Sequence, residues 1–358
     1  MNKIIVGGGF DPIHLGHINM ALQAQKMVGG EVIFVPAKVA VWKTDSISQD
    51  HKLAMIKLAI KNYDGFSIDS FELEQEEQPR SYQTVAYFKK KYPKDKLFFL
   101  IGQDQANAFD KWANPEEIAS KTQIIYFKRP KCEINQPIMY KFHMLAVEGP
   151  QIDVSSSDIR ELKSIAVNED VLKYIEDNSL YFINKIKGYI DEKRFAHSLS
   201  VAHLAYRIAK MHQLDYQKAY IAGLLHDIAK GVDRDERLVL MKKYYPDYLD
   251  IGTFAYHQFL GEMIAKRDFG VVDQDILNAI KYHTTGRKDM SWLEKLVYAT
   301  DTVDPLRDYD SSELIKALED DPSSGFVVVL RANYEFLKIR HLSIDNRLSE
   351  ECFKAYLG

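Results

Sequence analysis

The first part of the chain alternates short apolar runs with amphipathic stretches. Runs at 4–7, 32–35, 66–68, 97–101 and 123–127 are rich in β-branched and aromatic residues and almost free of charge, which suits strands buried on both faces. The stretches at 18–27, 51–61, 84–91 and 115–121 instead repeat apolar residues every three to four positions, as crossover helices do. This alternation predicts an α/β doubly wound parallel sheet, a class that binds ligands where strands end and helices begin. Residues 165–181 read as one closing helix. From about Tyr189 onward strand-like runs vanish and helical periodicity continues, which predicts an all-α bundle. The expected domains are 1–184 and 185–358.

Composition narrows the chemistry. With 358 residues and 46% hydrophobic positions, each domain can bury its own core. A formal charge of −4 creates no global field for a polyanion, so phosphate must be held by locally placed cations and backbone amides, and nucleic acid is not expected as a partner. The two cysteines, Cys132 and Cys352, form no CxxC pair, which argues against a disulfide framework and a cysteine zinc site. No stretch approaches the roughly 18 apolar residues of a membrane helix, so the expected location is cytoplasmic, without a membrane partner.

The first candidate site lies at 7–17, GGGFDPIHLGH. Gly7, Gly8 and Gly9 close the first strand and let the backbone approach a ligand, while the segment from His14 to His17 opens a helix whose free amides face the same place. That is a phosphate cradle without a Walker lysine. Two imidazoles three residues apart can donate hydrogen bonds to a phosphoryl group as charge builds on it. A second motif, VSSSDIR at 154–160, offers Ser155, Ser156 and Ser157 as a helix cap and Arg160 to reach outer phosphates.

Together these motifs resemble the HxGH nucleotidylyltransferases, which have a Rossmann-like fold. IGQDQANAFDKW at 101–112 is similar to the bacterial nicotinate-nucleotide adenylyltransferases among them. The resemblance implies transfer of AMP from ATP to nicotinate mononucleotide, with Mg²⁺ accompanying ATP and no protein nucleophile. It implies that Gly8, Gly9, Phe10, His14, His17, Lys43, Gly102, Asp104, Ser155, Ser156 and Arg160 bind ATP, with His14, His17 and Arg160 catalytic. Tyr82, Thr84, Asp104, Trp112 and Arg129 would hold the acceptor, Trp112 by stacking on its pyridine ring. Val39-Ala40-Val41-Trp42 and Ser81-Tyr82-Gln83-Thr84 depart from the family pattern, which keeps nicotinamide mononucleotide and pantetheine phosphate open as acceptors.

In the second half, metal-type residues occupy apolar helix faces. His197 shares a stripe with Val201, Leu204 and Ile208, and His283 with Ile276, Ala279 and Ile280. His226 with Asp227, His257 and Asp301 are placed likewise. Buried imidazoles and carboxylates are costly unless partnered, and a metal centre would satisfy all six. Nitrogen and oxygen donors without thiolates suit Fe, Mn, Co or Zn, and six candidate ligands suggest two such ions. Asp227 could bridge such a pair, and Lys230 could set its ammonium over a phosphate. His203 and His212 lack this context and read as structural or exposed.

This pattern resembles the HD superfamily of metal-dependent phosphohydrolases. AGLLHDIAKG at 222–231, His257, AIKYHTTG at 279–286 and DTVDPLR at 301–307 are similar to the symmetrical diadenosine-tetraphosphate hydrolases within it. The resemblance implies a di-iron-type centre and cleavage of diadenosine tetraphosphate to two ADP, with Asp227 and Lys230 catalytic and Lys230, Thr284, Gly286, Arg287 and Arg307 near the phosphates. Asp304 stands where glutamate is usual. Alternatives for this half are an alarmone, a cyclic dinucleotide or a nucleoside monophosphate as substrate, or a regulatory nucleotide-binding module.

Overall fold

The computed structural model describes residues 1–38, 47–129, 132–340 and 346–358. The chain divides into one compact unit of Met1–Arg160 with Ser164–Leu180 and another of Glu161–Lys163 with Tyr181–Gly358.

The first unit is built on a six-stranded parallel sheet in the order β3-β2-β1-β4-β5-β6. Its strands are β1 (Asn2–Gly8), β2 (Glu31–Pro36), β3 (Phe66–Ile68), β4 (Lys96–Gly102), β5 (Gln123–Phe127) and β6 (Leu145–Val147). Ile4 pairs with Val32 on one side and Phe98 on the other, so β1 is central, and its Ile4, Ile5 and Val6 are fully buried. One core layer joins Ile5, Val35, Phe99 and Ile124 to Val85 and Phe88 of α3 (Ser81–Lys91) and Ile118 of α4 (Pro115–Lys121). Two further helices flank the motifs: α1 (Leu15–Val28), which buries Ile18, Ala21 and Ala24, and α2 (Gln49–Ile60). Strand order reverses between β1 and β4, so the loops that follow these two strands meet at the switch point where such sheets bind ligands.

Two details differ from the sequence-based expectation. Strand β6 is Leu-Ala-Val with Leu145 exposed, and it lacks the paired aromatic and β-branched residues that mark the equally short β3. The stretch 165–181 is not one helix: Asn168 caps Glu169–Asp177 by accepting from the Asp170 amide, and Ser179 and Tyr181 take φ of 51° and 53°, which ends it. A separate helix, α6 (Phe182–Lys187), follows in the second unit.

The second unit is helical, with no strand among its described residues. The helices that bear on its site are α7 (Glu192–Met211), α8 (Tyr216–Leu225), α9 (Arg234–Tyr244), α10 (Tyr256–Asp268), α11 (Gln274–Lys281) and α12 (Trp292–Thr302). Gly223 lets α8 press against α7: a Cβ there would lie 2.8 Å from the Ala202 Cα. No helix of the described residues is long and apolar enough to cross a membrane.

Candidate functional site

The first cluster forms at the end of β1. A Cβ on Gly7 or Gly9 would meet nothing within 4 Å, so the backbone there faces open space that a ligand can enter. Phe10 takes φ 46° and turns its ring into the core, edge-on to His17 at 5.0 Å and Phe34 at 5.6 Å. Its side chain, expected at ATP, is instead packing that supports His17. His14 precedes the first turn of α1, and its backbone N–H donates to His17 Nδ1 at 3.3 Å, which leaves the His17 proton on Nε2. The two rings stack 3.7 Å apart, and the buried Nδ1 of His14 has no hydrogen-bond partner. Burial, then the Arg129 charge, pushes His14 down to about 4; Asp158 opposes the shift. Burial, His14 and Arg129 hold His17 well below the ordinary imidazole range. Both rings are therefore neutral at physiological pH.

The VSSSDIR segment docks on the same loop. Ser155 caps the short helix α5 (Ser156–Arg160), its Oγ accepting from the Asp158 amide at 3.1 Å. Ser156 Oγ donates to the Pro12 carbonyl at 2.9 Å, and Arg160 donates to the Asp11 carbonyl at 2.6 Å and to Ser157 Oγ at 3.0 Å. Arg160, expected to reach outward to phosphates, thus commits two donors to binding the motifs together. At the end of β4, a Cβ on Gly102 would sit 2.7 Å from Asp104 Oδ1, and that oxygen lies 3.7 Å from Arg129 Nε. Arg129 belongs with the histidines by charge as well as with the acceptor residues.

The other acceptor candidates gather on the core flank. Trp112 is wedged against Phe99 and Phe109, with ring centroids 6.1 and 5.2 Å away, and Tyr82 packs on the same core. Thr84 is buried and donates to Glu72 Oε1 at 2.7 Å, so it meets no ligand directly in this arrangement. Lys43 and the 39–42 stretch lie outside the described residues. Two residues carried no signal in sequence. Buried Gln103 accepts from the Arg129 amide at 2.8 Å and donates to the Cys132 carbonyl at 2.7 Å, fixing the Arg129 loop. Buried Lys52 donates to the Ala37 carbonyl at 2.8 Å and faces the Asp11 charge.

The second cluster centres on Asp227. Its Oδ1 lies 3.4 Å from His257 Nε2 and 3.3 Å from His283 Nε2; its Oδ2 lies 3.6 Å from His226 Nε2 and 3.8 Å from His197 Nε2. One carboxylate therefore faces two histidine pairs. Asp301 Oδ1 completes one of them, 3.1 Å from His197 Nε2 and 3.7 Å from His226 Nε2. Each helix presents its ring by a local device. Nδ1 of His226, His257 and His283 lies 2.7, 2.9 and 2.8 Å from the carbonyls of Gly223, Phe254 and Ile280, three residues earlier in each case. A carbonyl only accepts, so Nδ1 carries the proton and each Nε2 turns a lone pair inward. His197 Nδ1 pairs with Asp304 Oδ2 at 2.6 Å.

The electrostatics of this cluster call for a cation. Buried Asp227 Oδ1 has no hydrogen-bond partner although two histidine nitrogens face it. Burial would raise Asp227 and Asp301, but the surrounding histidines, with Lys230 and Arg307, hold both well below the usual carboxylate range. Burial also keeps His257 and His283 below the ordinary imidazole value. Ionised carboxylates and inward imidazole lone pairs are a divalent metal's donor set. Among the described residues, the ligand atoms of His197, His226 and Asp301 lie within 4.8 Å of one another, as do those of His226, Asp227 and His283.

The phosphate candidates separate. Lys230 Nζ is 2.8 Å from Asp227 Oδ2, Arg307 donates to Asp301 Oδ1 at 2.6 Å, and Thr284 Oγ1 lies 3.1 Å from His257 Nε2. Those three stand at the cluster. Arg287 does not reach it by any contact: its guanidinium grips buried Glu294 at 2.6 and 2.9 Å and stacks on Tyr282. Gly286 takes φ 64°, and a Cβ there would meet Cys352 Sγ at 2.6 Å, so packing demands this glycine. Two supporting groups were missed as site residues. Asp304 orients His197, and buried Gln258 accepts from the Thr284 and Thr285 amides at 3.1 and 3.2 Å. The spacing of Asp304 three residues after Asp301, just past the end of α12, was the available signal for the first; a lone glutamine gave none.

An α/β unit with a glycine-rich end to its first strand, followed by a helical unit with a His/Asp cluster, is a nucleotidylyltransferase fold joined to an HD-domain fold. Residues 5–162 match the cytidylyltransferase-like family, and residues 194–306 match the HD domain, whose His/Asp cluster implies divalent metal binding. A probable nicotinate-nucleotide adenylyltransferase/Ap4A hydrolase of Mycoplasma genitalium is 30% identical over 343 residues, covering 92% of this chain and 96% of that protein. The nicotinate-nucleotide adenylyltransferase of Bacillus subtilis is 36% identical over 191 residues, 51% of this chain and 99% of its own length. A Clostridium acetobutylicum structure described as a predicted HD superfamily hydrolase involved in NAD metabolism is 30% identical, with a TM-score of 0.45, over 49% of this chain and 96% of that one. The chain belongs to the family of two-domain nicotinate-nucleotide adenylyltransferase/Ap4A hydrolases.

Proposed function

We propose that the chain is a bifunctional enzyme, with residues 1–184 transferring AMP from ATP to nicotinate mononucleotide and residues 185–358 hydrolysing diadenosine tetraphosphate to two ADP. In the first reaction a phosphate oxygen of the mononucleotide attacks the α-phosphorus of ATP, and pyrophosphate leaves as deamido-NAD forms. The neutral His14 and His17 donate hydrogen bonds to the phosphates without bringing a charge of their own, and the Gly8–Gly9 backbone, Ser155, Ser156 and Arg160 hold the cradle in shape. Mg²⁺ accompanies ATP, and Asp104, Arg129, Tyr82 and Trp112 bound the acceptor side. The docking of VSSSDIR onto Asp11 and Pro12 carries this reading.

In the second reaction His197, His226, Asp227, His257, His283 and Asp301 hold two metal ions, iron first. When bound, they supply an activated water and neutralise phosphate charge. Lys230, Thr284 and Arg307 orient the phosphate chain. The carrying observation is Asp227, whose two oxygens face separate histidine pairs. The test is to load the full chain anaerobically with Fe²⁺ or Mn²⁺, add diadenosine tetraphosphate, and separate products beside Asp227→Ala; in parallel, nicotinate mononucleotide and MgATP are given to wild type and His17→Ala. ADP alone, lost in Asp227→Ala, and deamido-NAD, lost in His17→Ala, are the expected results. An inert wild type in either assay overturns that half of the assignment.

A further inference from the structure

Symmetric cleavage needs more than a metal pair, because a tetraphosphate offers three bridging oxygens and only the middle one may be cut. The chain must hold the phosphates in one register. Lys230 is the cation nearest Asp227, and its ammonium is only as well placed as the backbone that carries it. That backbone is a single helical turn, Ile228–Gly231, directly after Asp227. Its carbonyls at the C-terminal end have no helix to continue into, and such groups need donors.

Arg237 supplies them. From α9 it reaches back to donate Nη2–H to the Lys230 carbonyl and Nε–H to the Val232 carbonyl, both at 2.8 Å. Its guanidinium lies close enough to Asp227 and Arg194 to feel both charges. The other side of the turn is closed by packing: a Cβ on Gly231 would stand 1.9 Å from the Tyr189 carbonyl oxygen. Residues 227–232 are therefore pinned from both sides, by a backbone wedge and by a planar cation whose fork matches two acceptors at once. Lysine, a point donor on a flexible stem, cannot reproduce that fork.

We propose that Arg237 is a positioning residue that sets where the tetraphosphate is cut, by holding the 227–232 turn, and with it Lys230, in one register against the bound phosphates. The inference rests on the hydrolase reading of the second unit. In the normal reaction water adds to a phosphorus beside the central bridging oxygen, the bond from that phosphorus to the bridge breaks, and the bridging oxygen leaves with the other half, giving two ADP and a released proton. The same water attacking one phosphate along gives ATP and AMP. A misplacement of about 1 Å in a reacting group is enough to change such rates by orders of magnitude.

The test uses the full chain loaded with Mn²⁺, comparing wild type, Arg237→Lys and Arg237→Gln for product identity, kcat/KM, metal content and melting temperature. Wild type yields ADP alone. Both variants are expected to keep their metal, lose about tenfold in kcat/KM and release ATP with AMP beside ADP. ADP as the sole product of a folded, metal-loaded Arg237→Lys overturns the inference, whatever its rate; this conservative variant decides the matter if Arg237→Gln fails to fold. A wild type inert towards the tetraphosphate overturns the underlying activity instead, and the inference falls with it.

Discussion

In the proposed adenylyl transfer, His14 and His17 act as uncharged donors. A histidine whose folded value lies below its ordinary 6.5 adds to stability fully above that value, and the contribution is lost as pH falls towards about 4, because the unfolded chain takes the proton first. The kcat/KM profile for adenylyl transfer reports the free enzyme, so it should show no inflection from these rings near 6.5 and a decline only at the acid end. A step centred at 6.5 that vanishes in His14→Ala would contradict this. Asp304 acts one contact away from the ligands, at 2.6 Å from His197 Nδ1. Asp304→Asn should lower metal affinity by about 10- to 100-fold, measured by competition with a chelator, while the fold persists. At this scale the sequence was most readable where a polar residue interrupts an apolar stripe, as His197 and His283 do. It was least readable for Gln103 and Gln258, whose importance comes from a partner distant in sequence, and misleading at Arg287, where Glu294 captures the side chain.

Elements were legible wherever period and length were both adequate. The run at 123–127 coincides with β5, whose last four residues are buried, because a strand covered on both faces tolerates little polarity. Strand β6, Leu-Ala-Val with Leu145 exposed, lacks a β-branched or aromatic run, and the break after Asp177 depends on positive φ at Ser179 and Tyr181, residues that do not announce it. Helix contact makes its own prediction. At Gly223 α7 and α8 approach so closely that Gly223→Ala must push the Ala202 backbone away. The cost should be about 1–3 kcal/mol, seen as a lower denaturation midpoint in urea. An unchanged midpoint would mean that the two helices separate freely.

At the scale of the whole molecule, each unit holds a site made from its own residues. Asp227→Ala should therefore leave adenylyl transfer within about twofold of wild type, and His17→Ala should do the same for tetraphosphate hydrolysis. A large cross effect in either assay would require a coupling that no site contact described above provides. The two-part organisation was visible in the sequence as a change of period near Tyr189, and the net charge of −4 already required both phosphate sites to be local constructions.

The position of Asp227 between two histidine pairs also decides how the metal centre can fail. In the proposed two-metal site most ligands serve one seat: losing His283 strips one and leaves His197, His226, Asp301 and the Asp227 Oδ2 to keep the other. Asp227 is the carboxylate whose two oxygens face both seats, so its loss is felt at each. Elemental analysis should find about two ions in the wild type and about one in His283→Ala. Asp227→Ala takes a donor from both seats at once and should lower the affinity for both ions, with His197, His226 and Asp301 left to hold what remains.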